Sequence, residues 1–157
     1  MATKSILTLG GDGTAVPAGY VGEVIETVIT STVLLSNTLG TFTDIASVVL
    51  TAGTWEVETA GNLYCDVGIA SGVGAAGNIA ITNSSNTILR ALKGNVVKGG
   101  EFQYSLITVK TRINTTGGTF KSRGTFTLER GSPTVSNAQL LADSTYVAYI
   151  RAVRVGN

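Results

Sequence analysis

Apolar and polar residues alternate with a period of two along most of this chain, and small or turn-forming residues interrupt the alternation at spacings of about 8–12 residues. From Thr54 to Thr59, Trp55 and Val57 point one way and Glu56 and Glu58 the other. From Leu63 to Val67 the odd positions again form the apolar face, so the single Trp and the single Cys (Cys65) both fall on faces that a sheet would bury. The Ala52-Gly53 and Ala60-Gly61 pairs read as turns that divide Ile45–Val67 into a meander of three short runs.

The same reading extends in both directions. Residues 21–32 are rich in β-branched side chains and predict a strand, and 34–43 a loop. The Gly- and Ala-rich stretch 68–77 predicts a flexible connection. Residues 79–82 and 87–92 predict a hairpin across Asn83–Asn86. In 104–113, Ile107, Val109 and Ile113 share one face, with Lys110 and Arg112 on the other. In 119–128, Phe120, Phe126 and Leu128 oppose Lys121, Arg123 and Thr125. Asn114-Thr115-Thr116-Gly117-Gly118 predicts the hairpin loop between these two strands, which would gather Lys110, Arg112, Lys121 and Arg123 into one basic patch. Residues 138–143 are a short strand or one helical turn. The run 145–155 is apolar on both faces and predicts a strand buried on both sides. No segment of ten residues has helical periodicity. The fold class is all-β: an antiparallel β-sandwich of jelly-roll type over 21–157, with an extended N-terminal arm over 1–20.

Composition narrows the functions available. The 157 residues suffice for one core without disulfides or metal. Only 13% are charged and mean hydropathy is +0.31, which suits many half-buried strands and surface covered in an assembly. No apolar run is long enough to cross a membrane as a helix, and the start lacks a secretion signal, so synthesis in a cytoplasm is expected. Net charge is +1, but its distribution is uneven: one basic residue against seven acidic through Asp66, then ten against three. Either the two halves pair within the fold, or the basic surface of one protomer meets the acidic surface of a neighbour. The absence of His removes the usual general base and imidazole metal sites, and one Cys removes thiolate zinc sites, so neither cofactor nor metal is expected. Glu56 and Glu58 lie roughly 7 Å apart on one strand face, near a glycosidase separation, but on a wet face. Gly10, Gly11 and Gly13 lack the following Lys-Ser/Thr of a phosphate loop. Basic residues lack interleaved aromatics, so no nucleic acid is expected as a partner.

Three segments stand out together: Ala15–Glu23 (AVPAGYVGE), Ala46–Val57 (ASVVLTAGTWEV) and Tyr149–Val155 (YIRAVRV). The combination resembles small jelly-roll virion proteins of tailed bacteriophages, which serve as capsid cement or decoration proteins and as distal parts of tail fibres. The resemblance implies a non-enzymatic structural role, oligomerisation as a homo-dimer or homo-trimer, and location on the virion. A chain of this size suits a decoration protein that staples neighbouring subunits of the major capsid protein. The alternative is a tail module that recognises host-surface carbohydrate through loops such as Asn83–Asn86 or Asn114–Gly118. The candidate interface residues are Lys4, Ile6 and Leu7 of the arm, the acidic Glu56 and Glu58, and the basic Lys110, Arg112, Lys121, Arg123, Arg151 and Arg154.

Overall fold

A chain this rich in alternating strands must bury one face of each and pair its backbone groups with a neighbour. In the computed structural model it does so with nine strands among the described residues, which are 2–5, 19–67, 74–98, 103–132 and 134–156. The strands are β1 (Ala2–Ser5), β2 (Val24–Ile29), β3 (Val33–Leu34), β4 (Thr43–Val67), β5 (Gly74–Asn83), β6 (Ile88–Lys98), β7 (Gln103–Arg130), β8 (Val135–Leu141) and β9 (Ala148–Gly156). All pair antiparallel in the order β1-β2-β9-β4-β7-β5-β6, with β8 joining β4 to β3.

Two strands are far longer than the sequence pattern implies: β4 has 25 residues and β7 has 28. The expected turns at Ala52-Gly53 and Asn114–Gly118 are corners, not chain reversals. Before Thr51 the buried side chains of β4 are the even-numbered Val48 and Leu50; after it they are the odd-numbered Trp55, Val57, Leu63 and Cys65. In β7 the odd-numbered Ile107, Val109 and Ile113 give way to the even-numbered Phe120, Ser122 and Phe126. The two corners lie side by side, with Leu50 opposite Gly118, Thr51 opposite Gly117 and Gly53 opposite Thr115. Gly53, Gly117 and Gly118 have φ of +143°, +113° and +144°, values that a Cβ disfavours. Paired strands that bend together carry one sheet into a second layer. The meander expected in 45–67 and the hairpin expected at 114–118 are thereby corrected.

Ala60-Gly61 is not a turn either. A Cβ on Gly61 would lie 2.5 Å from Leu140 Cδ1, so the small residue admits β8's side chain against bare backbone.

The corner divides the chain into layers. One contains β2, β9, the second half of β4 and the first half of β7; the other contains the first half of β4, the second half of β7, β5 and β6. Contacts across the interior fix them face to face. Thr59 and Ser122, 63 positions apart, share a buried hydrogen bond of 2.7 Å. A Cβ on Gly77 of β5 would meet Leu63 Cδ1 of β4 at 2.8 Å. Trp55 and Leu63 from one layer and Phe126, Ile79 and Ile81 from the other form one core. The antiparallel all-β sandwich expected from the alternation is therefore observed.

Other expectations need adjustment. Gly74–Gly77, read as part of a flexible connection, belong to β5, which is buried on both faces; residues 68–73 lie outside the described residues. The hairpin over Asn83–Asn86 is present, closed by Asn86 N donating to Asn83 O at 3.0 Å. β9 lies between β2 and β4 and has no free edge, but only Ala148, Ile150, Ala152 and Arg154 are buried. Tyr149, Arg151 and Val153 are half-buried, so the strand is not buried on both sides. At the end of β7, Leu128 is exposed and Thr125 buried, the reverse of the expected faces. Residues 2–5 of the expected arm pair with Glu26–Ile29 as the outermost strand of the chain's own sheet; Ile6 and Leu7 lie outside the described residues.

Candidate interaction surface

The outer face of the first layer carries alternating charge because the register aligns it. Glu26 of β2, Arg151 of β9, Glu58 of β4 and Lys110 of β7 are consecutive cross-strand partners. Opposite charges facing each other across strands stabilise a sheet modestly. Lys110 Nζ lies 2.7 Å from Glu56 Oε2, and Arg112 Nη2 lies 3.2 Å from Glu56 Oε1. These bonds, Lys110's first, hold the Glu56 carboxyl below its ordinary range and raise the Lys110 ammonium. A glycosidase general acid requires the opposite shift. Glu58 accepts a hydrogen bond from Tyr149 Oη. Burial first, then that bond, pushes the Tyr149 phenol up to about 12. Glu56, Glu58, Lys110, Arg151 and Val153 line a shallow cleft of about 200 Å³. Arg151 Nε is buried without a hydrogen-bond partner among the described residues.

The second cluster sits beyond the corner. Asp44 takes Lys121 Nζ at 2.8 Å and Arg123 Nε at 2.5 Å, and its carboxyl is lowered chiefly by the Lys121 bond. Lys121 also reaches Asn86 Oδ1, and Arg123 reaches Phe42 O while lying over the Phe42 ring. The expected single basic patch does not form: the pairs Lys110/Arg112 and Lys121/Arg123 lie on either side of the corner in β7, roughly 35 Å apart along the strand. Each pair meets a carboxylate of the same chain. The uneven charge of the two halves is thus used for internal pairing at Glu56 and Asp44. Such solvated pairs are screened by water and salt and add little to stability.

Arg154 is displaced furthest from its expected role. As a candidate contact residue it should be exposed; it is 3% exposed. Its guanidinium lies 4.5 Å from the Trp55 ring centroid, and Nε reaches Glu23 Oε2 at 3.2 Å. Nη1 donates to Ala52 O at 2.6 Å and Nη2 to Thr51 Oγ1. Trp55 Nε1 donates to Thr51 O at 3.1 Å, and Glu23 Oε2 also accepts from Gly19 N at 2.7 Å. A corner strips backbone carbonyls of ladder partners, and Arg154 supplies donors to them while Glu23 balances its charge. A Cβ on Gly53 would lie 2.2 Å from Arg154 Nη1, a second reason for glycine there. The segments around Glu23, Thr51–Trp55 and Arg154, separate in sequence, therefore form one buried unit.

Lys4 lies in β1 opposite Thr27. Among the described residues no group of three or more Cys, Asp or Glu side chains could hold a metal ion. The Cys65 thiol is pushed up to about 12, chiefly by burial. Sequence reasoning missed the participants Glu23, Asp44, Tyr149 and Phe42. An alternating strand places Tyr149 beside Arg151, but only the register brings it to Glu58.

No protein-family model matches the chain, and no curated protein matches its sequence. Among solved structures it is similar to the infectious bursal disease virus Gt strain (10% identity, TM-score 0.42, 96% of this chain and 46% of that one). It is also similar to the VP2 subviral particle of the same virus (13% identity, TM-score 0.40, 94% and 41%). A third likeness is to a carbohydrate-binding module from Cellvibrio mixtus lichenase 5A in complex with cellotriose (13% identity, TM-score 0.28, 98% and 87%). The chain spans less than half the length of the viral chains.

Proposed function

We propose that this chain is a non-enzymatic structural protein of a bacteriophage virion: a capsid cement or decoration protein that binds neighbouring major-capsid subunits and acts as a homo-oligomer. The observation that supports it most is the convergence of the three virion-protein-like segments on one buried unit, Glu23 with Thr51–Trp55 and Arg154. Short motifs gain weight when their distinctive residues touch. The chemistry points the same way. Glu56 is ion-paired and its carboxyl lowered, and Cys65 is buried with a raised thiol, so neither is poised as acid or nucleophile. Exposed apolar side chains are spread over both layers: Val49 and Leu128 on one, Leu106 on the other, 55–67% accessible. Such surface suits a protein that works in an assembly. The protein is made in the host cytoplasm and resides on the capsid surface.

A second reading, a tail module that recognises surface carbohydrate, draws on the cleft at Glu56, Glu58 and Arg151, whose polar groups match hydroxyls. Copy number in purified particles separates the two. A decoration protein is present in hundreds of copies, a tail module in a few tens or fewer.

A further inference from the structure

Glu26, Arg151 and Glu58 stand side by side on β2, β9 and β4, yet they do not pair with one another. None of the three makes an ion pair among the described residues. Glu58 has only the Tyr149 phenol, and Arg151 Nε is buried with no acceptor. A buried donor left in that condition costs free energy until something outside the chain supplies its partner. Lys110, the fourth member of the row, is bonded to Glu56. The face is open beside it, since Thr108, Lys110 and Arg112 of β7 are all exposed.

The order of the charges selects what completes them. Across the strands the row runs negative, positive, negative, positive. A second copy can be turned about a two-fold axis that lies in the face, parallel to the strands and midway between β9 and β4. Each position then meets the one reflected across that axis. Arg151 faces the second copy's Glu58, and Glu26 faces its Lys110, so every charge of the row meets an opposite one. A two-fold axis laid across the strands instead sets each charge against its own copy, which is repulsive throughout. One step along the strands, the first operation sets Tyr149 over the second copy's Ala60, a large side chain over a small one. Leu106, 67% accessible on the same face of β7, adds apolar surface. Two sheets stacked with their strands nearly aligned is an ordinary packing geometry. We infer that a second copy of this chain packs on the outer face of the first layer, as a two-fold dimer centred between β9 and β4. This dimer gives the homo-oligomer proposed above its contact surface and depends on that reading, but not on the capsid role.

The intact protein is followed by sedimentation velocity over a range of concentrations, with circular dichroism to check that each variant folds. The protein should pass from monomer to dimer as concentration rises, and the dimer should weaken as salt rises. Arg151→Glu and Glu58→Arg should each leave a monomer, because each reversal sets like charges together twice. Mixed in equal amounts, the two variants should pair with each other, since both central contacts are then again between opposite charges. Should a reversal prevent folding, Arg151→Gln removes the same two contacts and should weaken the dimer about tenfold. A monomer at every concentration overturns the inference together with the homo-oligomeric reading. An oligomer that both reversals leave intact overturns this face alone, as does a closed trimer, because the contact described here closes at two copies. Folded reversal variants that fail to pair on mixing overturn it as well. A dimer with all of these responses, from a protein found at low copy in virions, retains the face and overturns the capsid role instead.

Discussion

Replacing Arg154 by Met keeps an apolar side chain over Trp55 and removes everything else the guanidinium does. It leaves Glu23, 7% exposed, without its cation, and the Ala52 carbonyl and Thr51 hydroxyl without their donors. Breaking a buried ion pair from one side costs about 3–5 kcal/mol, and the lost cation–π contact adds about 1. Entry of water beside Glu23 recovers part of that, which leaves about 4 kcal/mol. For a domain of this size each kcal/mol moves Tm by roughly 2–4 °C, so a drop of about 8–16 °C is expected. The assay is urea unfolding followed by circular dichroism, because the variant also alters the fluorescence of Trp55. Glu23→Gln should be costly too, but the double variant should cost less than the two together by about 1–2 kcal/mol, since no buried charge is then left alone. A cost below about 1 kcal/mol for Arg154→Met would refute the reasoning, as would additivity within about 0.5.

Gly61→Val should destabilise by about 1–3 kcal/mol in the same assay, because Leu140 Cδ1 already occupies the space of a Cβ. Cys65, with its thiol raised to about 12, should resist an aromatic disulfide reagent at mild alkaline pH and react at the rate of global opening. Asp44, Glu56 and Asp66 have carboxyls lowered from ordinary values of 3.8, 4.5 and 3.8. Their contribution is complete above those values and lost as pH falls below them, so urea midpoints should decline on acidification and Asp44→Asn should flatten the decline. Tyr149 acts at the other extreme: its phenol is raised from 10.0 to about 12, so its contribution is complete below 10 and lost as pH climbs through 12. Tyr149→Phe should reduce that alkaline loss.

Alternation made the layers legible, and it failed where the chain bends. The inward faces of the second half of β4 and the first half of β7 follow from period two alone, which is why Trp55, Val57, Leu63, Cys65, Ile107, Val109 and Ile113 are buried as read. Glycine marks where the backbone leaves the ordinary strand region but not which way the chain continues. Gly53 and Gly117-Gly118 could close hairpins or bend paired strands, and only pairing over 21 register positions between β4 and β7 decides for the bend. That one ambiguity split both long strands and merged two ion clusters into a false patch. Gly61 and Gly77 are small because Leu140 and Leu63 press on them, contacts between residues far apart in sequence. Arg154 was misplaced for a related reason. An arginine near a strand end is ordinarily solvated, and its burial depends on Glu23, 131 positions away, meeting it beneath the corner. The charge asymmetry was legible, and its resolution into internal pairs depended on the register.

The proposed role as a capsid protein is tested most directly by quantitative mass spectrometry of purified particles, with this chain counted against the major capsid protein. The account predicts a copy number on the order of hundreds, in a fixed ratio to capsid subunits, as a closed symmetric shell imposes on a protein bound across its subunits. A few tens of copies or fewer, or absence from the particle, would contradict it.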